Sequence, residues 1–374
     1  MGSIEQGEDL SIPSLPPFPS DIPSAPLLRI NLNRLLASDP EEISRLFSAC
    51  RDLGFFYLDL RSASSGDISG HTLLDSTDDL FRLGEQVFAL PVDEKQQYDL
   101  MDQNSYYGYK GLGQGVIDAK GTRDRNEFWN ISKDDILGLS EPIVNPEILK
   151  RKESRELLKT FIEQSHGIVR LVLQLLDASL GLPAGKLESL HRLQANSGDQ
   201  VRWVRSPPKE EAMDAQQAAL GEHTDFGSVT VLFNRLGGLQ VLPPGESEWR
   251  FVRPLKGHCV VNLGDAMVKF SGGVLRSNIH RVVNPPGEQA RSTRYSLVYF
   301  SRPEDDVLLQ VLDGSKMIDE KRRTEGSGKD DEVITAKEWI LRRALGRRAG
   351  GDWNKSGGTD TERLERVGGM RVKA

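Results

Sequence analysis

The chain has 374 residues, 48 Lys and Arg against 55 Asp and Glu, a net charge of −7 and 37% hydrophobic residues, fractions that fit a soluble globular protein and exclude wholesale disorder. The acidic balance argues against nucleic-acid binding, which needs a basic face, and two cysteines, Cys50 and Cys259, are too few for a disulfide framework or a cysteine-built zinc site. No run of about 18 apolar residues is present to span a membrane, and the polar start Met1-Gly2-Ser3-Ile4-Glu5-Gln6 is unlike a signal peptide, so a cytoplasmic protein with no membrane partner is expected.

Residues 1–26 are proline-rich with no apolar period, which predicts a flexible or surface-wrapping arm. A region of helices and strands is expected over 27–199. Leu27–Leu32 reads as a strand. Asp39-Pro40-Glu41-Glu42 reads as a helix start, with a capping carboxylate, proline in the first turn and acids at the positive dipole end. Ile43, Leu46, Phe47, Cys50 and Leu53 continue that helix to Gly54, and Cys50 on its apolar stripe is expected to be an inert core thiol. Phe55–Leu58 is the next strand, and helical patterns return at about 73–90 and 146–180. The glycine-rich stretch Tyr106–Gly113 does not follow a strand and open a helix, so it is rejected as a phosphate loop.

From 200 to 303 the texture changes to short β-branched segments at roughly ten-residue spacing: Val229–Phe233, Leu239–Leu242, Trp249–Val252, Cys259–Leu263, Ile279–Val283 and Tyr295–Phe300. Gly-Gly, Pro-Pro-Gly and Gly-Asp breakers separate them, predicting a sandwich, jelly roll or barrel. A helix is expected over Val333–Leu345 within a C-terminal region, 304–374, that ends in a basic, glycine-rich tail.

Within the β-rich region, Gly221-Glu222-His223-Thr224-Asp225-Phe226-Gly227 places a histidine and a carboxylate two residues apart, hence on one face of a strand. His280, on a later strand, offers a third ligand. Two imidazoles and one carboxylate leave open positions on a metal, the arrangement of non-haem Fe(II) oxygenases, in which a chelating cosubstrate and O2 can bind together. The same donors also suit catalytic zinc, and a hydrolase therefore stays open. Arg294 and Ser296 share a face of the next strand, where a guanidinium and a hydroxyl suit a carboxylate. If Ile279–Val283 and Arg294–Phe300 form a hairpin, Arg294 lies roughly opposite His280, with the facing side left open by the Pro-Pro-Gly loop.

These stretches, with Gly237–Val241, Val261–Asp265 and Ala49–Leu58, resemble the isopenicillin N synthase-like branch of the Fe(II)/2-oxoglutarate-dependent oxygenases, particularly its fungal members, over roughly residues 27–303. The resemblance implies a mainly β fold with flanking helices around a double-stranded β-helix (jelly-roll) core at 200–303. It implies Fe(II) at His223, Asp225 and His280, and 2-oxoglutarate held by Arg294 and Ser296, with O2 as the other reactant. The implied reaction oxidises a C–H bond of a small organic metabolite, of the kind made in secondary metabolism, with release of succinate and CO2. Many relatives carry a tyrosine before Pro-Pro that contacts the cosubstrate; here Ser206 stands in that place. An oxidase of the same fold that does not use 2-oxoglutarate is the nearest alternative, and a non-catalytic β-sandwich ligand-binding protein is another.

Arg205, Phe226 and Tyr107 are candidate substrate-lining residues, and Arg205 is also a candidate partner for a carboxylate. Asp265 is expected to satisfy turn amides, and His166, His191 and His258 to be structural.

Overall fold

The computed structural model describes residues 10–61, 63–118, 120–208, 218–325, 333–348 and 350–351. Most of the basic tail therefore lies outside the described residues. The chain opens with β1 (Leu28–Asn31), α1 (Leu32–Leu36) and α2 (Pro40–Asp52). The Asp39 carboxylate accepts from the N–H groups of Glu41 and Glu42 and Pro40 sits in the first turn, as the local sequence dictates. β2 (Phe55–Asp59), a short pair β3 (Ser64–Ser65) and β4 (Ile68–Ser69), α3 (Gly70–Phe88) and α4 (Val92–Gln96) follow. Next come β5 (Gly108–Lys110), β6 (Glu127–Ser132), α5 (Lys133–Leu137), α6 (Glu147–Lys150) and the long α7 (Lys152–Leu180).

The β-rich region contributes β7 (Gln200–Ser206), β8 (Ala218–His223), β9 (Val229–Asn234), β10 (Leu239–Val241), β11 (Arg250–Phe251) and β12 (His258–Leu263). After α8 (Asp265–Phe270) come β13 (His280–Val283) and β14 (Arg294–Ser301), then α9 (Lys316–Glu325) and α10 (Ala336–Gly346). An eight-stranded sheet in the order β1-β2-β12-β9-β14-β7-β6-β5 faces a four-stranded sheet in the order β11-β10-β13-β8. This is the expected jelly roll with flanking helices. It is larger than the 200–303 core, because β1, β2, β5 and β6 from the preceding region extend both edges of the major sheet.

Strand alternation divides the major sheet into two working faces. Val201 and Trp203 on β7, Trp129 on β6, and Leu297 and Tyr299 on β14 belong to a continuous buried core with Leu80, Phe161 and Leu173 of the long helices. Trp203 Nε1 donates to the Leu80 carbonyl at 2.9 Å, so even its polar edge is satisfied on that side. The other face turns Val204, Thr230, Ser296 and Val298 toward the minor sheet, where a cavity opens between the two.

Two points that the sequence leaves open are decided by the packing. β13 and β14 do not form a hairpin: β13 pairs with β10 and β8, whereas β14 pairs with β7 and β9. The Pro285-Pro286-Gly287 segment, followed by a short 3-10 turn over Gly287–Arg291, carries the chain from one sheet to the other. The proline-rich arm, in its described part, is not free. Leu10 and Ala25 are buried with Val241, Val252 and Leu255, and the Ala25 N–H donates to the Phe251 carbonyl at 2.8 Å. Cys50 and Cys259 are both buried, and burial pushes each thiol pKa up, which suits core packing rather than reactivity.

Candidate active site

His223 ends β8 and His280 begins β13, and the two are direct antiparallel partners with ring centroids 4.3 Å apart. Asp225 Oδ1 lies 4.0 Å from His223 Nε2 and 3.8 Å from His280 Nε2. One donor atom from each of the three residues thus falls within 4.8 Å of the others, a set able to hold a metal ion. The surroundings leave those atoms available. His223 Nδ1 sits 2.8 Å from the Gly221 carbonyl and His280 Nδ1 3.1 Å from that of Asn278. A carbonyl takes only an N–H, so each ring carries its proton on Nδ1 and keeps the Nε2 lone pair for a ligand. Burial, reinforced by the neighbouring His280, holds the His223 pKa well below its ordinary value and keeps the ring neutral.

Asp225 is divided in the same manner. Its Oδ2 accepts from Thr230 Oγ1 at 2.7 Å and from Asn262 Nδ2 at 2.6 Å, leaving Oδ1 turned to the histidines. Replacing both supports, Thr230→Val with Asn262→Leu, is expected to weaken metal binding by about 10–100-fold while the ligands remain. Competition with a chelator of known affinity measures it. Behind the triad, the Asp265 N–H donates to the Asp225 carbonyl at 2.9 Å, and Asp265 Oδ2 accepts from Thr224 Oγ1 at 3.0 Å. Asp265 therefore braces the His223–Asp225 segment, with its carboxylate meeting the Thr224 hydroxyl and pairing with Arg343 of α10 where turn amides were expected. The C-terminal helix is thus part of the site's frame: the Arg343 guanidinium lies 4.3 Å over the Phe226 ring, and Trp339 Nε1 donates to the Phe226 carbonyl at 3.0 Å.

Arg294 enters the cavity from β14, directly across from Ser206 on β7. Its Nε donates to the Gly237 carbonyl at 2.8 Å and its Nη1 to Ser296 Oγ at 2.5 Å. Gly238, at φ 105°, lets the guanidinium lie against the chain: a Cβ there would stand 2.7 Å from the Val283 carbonyl oxygen and 3.2 Å from Arg294 Nε. Among the described residues no carboxylate pairs with Arg294, and burial alone draws its pKa down to about 10. Ser206 Oγ, buried in the same cavity, has no hydrogen-bond partner among the described residues. A buried cation without an acid and a hydroxyl without a partner together describe a site for an anion that completes both.

The triad, Arg294, Ser296 and Ser206 line one cavity of about 160 Å³. Phe226 and Tyr107 line it as expected, and Tyr106 joins them. Arg205 does not. Strand alternation sends it to the opposite face of β7, where its Nη1 meets Glu127 Oε1 at 2.5 Å. Arg202, three residues earlier, is the arginine of that strand that faces the cavity. Tyr109 also turns away, donating to Glu127 Oε2 at 2.6 Å. His166, His191 and His258 stand outside the cavity with backbone or side-chain partners, as expected.

Comparison with known proteins gives the family. The 2OG-Fe(II) oxygenase superfamily model matches residues 191–303, and the model described as non-haem dioxygenase in morphine synthesis N-terminal matches residues 26–149. A 2-oxoglutarate-dependent dioxygenase of Aspergillus fumigatus is 32% identical over 330 residues, 83% of each chain. The 2-oxoglutarate-dependent dioxygenase frbH of a Dothideomycetidae species is 33% identical over 324 residues, 84% of this chain and 96% of its own. Among solved structures, a full-length Neurospora crassa protein in complex with alpha-KG and thymine superposes with a TM-score of 0.69 at 23% identity, over 85% of this chain and 96% of that one, a likeness of fold. This chain therefore belongs to the Fe(II)- and 2-oxoglutarate-dependent dioxygenases, oxidoreductases that use O2 as cosubstrate.

Proposed function

We propose that His223, Asp225 and His280 hold the Fe(II), that Arg294, Ser296 and Ser206 bind the distal carboxylate of 2-oxoglutarate, and that the reaction oxidises a C–H bond of a small organic metabolite. The observation that carries this reading is the meeting, in one cavity, of three free metal-donor atoms with a buried guanidinium that has no acid partner among the described residues. When bound, the iron supplies the oxygen chemistry, coupled to decarboxylation of 2-oxoglutarate to succinate and CO2. The protein's own residues do the rest. Arg294 presents its fork to a planar carboxylate and Ser296 adds an oxygen partner. Thr230 and Asn262 orient Asp225, while Phe226, Val298 and Leu232 keep the cavity wall apolar and restrict water at the reacting centre.

Support for a small-molecule substrate comes from the size of the cavity and from the Neurospora protein solved with thymine. The fungal dioxygenases among the relatives favour a role in secondary metabolism. Screening a metabolite panel for succinate release dependent on Fe(II), 2-oxoglutarate and O2 tests the reading; a chain that forms no succinate above its metal-free blank, with or without panel compounds, contradicts it.

Ser206 takes the place of a longer hydroxyl-bearing side chain, and it reaches the anion only because β7 pairs directly with β14. Ser206→Ala is expected to raise the half-saturating 2-oxoglutarate concentration about fivefold, the worth of one hydrogen bond of roughly 1 kcal/mol. An unchanged value would remove Ser206 from the cradle.

A further inference from the structure

Besides Arg294 the cavity is lined by further cations, and Arg202 is one that the cosubstrate does not need. Arg202 sits on β7 with its guanidinium 4.2 Å over the Phe128 ring and 5.1 Å over the Phe300 ring. Its Nε donates to Asn130 Oδ1 at 2.7 Å, which fixes the plane of the group and leaves the two terminal nitrogens. Two other cations of the same cavity pair with acids, Lys110 with Asp124 and Arg348 with Asp99 at 2.5 Å, while Arg302 donates to the Gly198 carbonyl. Among the described residues Arg202 has no carboxylate partner, and a further guanidinium, that of Arg302, stands 5.8 Å from the centre of the Phe300 ring. Like charges gathered around one aromatic wall repel one another, and burial and Arg302 together pull the Arg202 pKa down to about 9.

This cation is not placed to share the cosubstrate's distal carboxylate. Arg202 and Ser206 are four residues apart on an extended strand, about 13 Å of backbone at roughly 3.3 Å per residue, and Ser206 is the residue opposite Arg294. The metal triad lines the same cavity, and Asp225 is close enough to Arg202 to favour its charged form. The faces of the guanidinium lie against Phe128 and Phe300, Val298 is its partner across β14, and polar groups of Asn130, Tyr106 and Arg302 stand at its margin. Fixed plane, available terminal nitrogens and aromatic faces fit a planar carboxylate on a hydrophobic body, because the guanidinium fork donates two parallel hydrogen bonds to such a group.

We propose that the substrate is a small carboxylic acid with an apolar body, and that its carboxylate docks on Arg202 between Phe128 and Phe300, at the end of the cavity remote from the Arg294 cradle. The proposal rests on the reading of the cavity as a 2-oxoglutarate oxygenase site and names the substrate class for it. Docking at one end holds the body of the acid across the metal triad, which makes Arg202 a specificity-determining residue.

The test uses the full chain with Fe(II) and 2-oxoglutarate, and four acids with their primary amides: phenylacetate, 3-phenylpropanoate, cinnamate and octanoate. Binding is read anaerobically as a perturbation of the visible Fe(II)–2-oxoglutarate charge-transfer band, and coupling is read in air as succinate release. At least one acid is expected to bind tenfold or more tightly than its amide. Arg202→Gln should abolish that preference and Arg202→Lys restore part of it, with the unperturbed band still forming in both. A panel in which no acid outperforms its amide overturns the proposal, as does a preference that survives Arg202→Gln. Loss of the band itself in Arg202→Gln, with circular dichroism unchanged, would assign Arg202 to the cosubstrate and overturn it as well. Failure of the wild-type chain to form any band is a different result: it contradicts the underlying oxygenase site.

Discussion

His280→Ala is expected to lower succinate formation by about a thousandfold or more, roughly 4 kcal/mol of barrier, and to strip the protein of stoichiometric iron. The reasoning is geometric. His223 and Asp225 follow one another along the chain, but His280 arrives from another strand and closes the set only because β13 lies in register beside β8. No remaining histidine can replace it: His166, His191 and His258 are engaged elsewhere, and His71 is exposed on α3, outside the cavity. The Phe55 ring, 5.3 Å from that of His280, walls the space an alanine would leave, and it offers no ligand atom. Iron content by a colorimetric chelator assay checks the first half and succinate by chromatography the second. A variant with wild-type iron content and turnover would remove His280 from the ligand set.

Arg294→Met, which keeps the length of the side chain and removes its charge, is expected to raise the half-saturating 2-oxoglutarate concentration by about 100–1,000-fold, the roughly 3–4 kcal/mol lost when one partner of a buried charge pair is truncated. Iron content should be unchanged, which separates this effect from that of His280→Ala. Arg294→Lys should recover only part of the loss, because an ammonium cannot present the planar fork. The pH dependence follows from the pKa of about 10. With the folded value lowered toward that figure, the guanidinium is charged throughout neutral pH, so its contribution to cosubstrate affinity is flat there and falls only as pH rises toward about 10. Calorimetric titration of the anaerobic Fe(II) protein with 2-oxoglutarate measures both. Equal affinity in Arg294→Met would remove Arg294 from the 2-oxoglutarate site.

Much of the site was legible in the chain because its chemistry is written in short spacings. His223-x-Asp225 and Arg294-x-Ser296 each use the two-residue period of a strand, so residue identity alone places both members of each pair on one face. What pairing decides was less accessible. That His280 lies beside His223, and that Ser206 lies opposite Arg294, are facts of strand register. Asn262 and Thr230 come from two different strands to hold one carboxylate, and no local pattern joins them.

The orientation of Arg205 is hidden for the same reason, although a signal exists. Once Ser206 is placed in the cosubstrate cradle, alternation along β7 sends Val204 and Arg202 inward and Arg205 outward. Whether β13 and β14 form a hairpin was hidden too, because short strands separated by Pro-Pro-Gly look alike whether the chain folds back or crosses to the opposite sheet. Arg343 illustrates a third limit: a basic residue near the end of the chain reads as solvated until tertiary packing brings it to Asp265.

The assignment of one cavity to both iron and 2-oxoglutarate is tested most directly by anaerobic titration of the metal-free chain with Fe(II) and then with 2-oxoglutarate, followed in the visible. A single iron should bind, and 2-oxoglutarate should then raise a weak charge-transfer band that is absent from His280→Ala and displaced to far higher 2-oxoglutarate concentration in Arg294→Met. A chain that binds iron but shows no such band, and forms no succinate when air is admitted, would contradict the assignment.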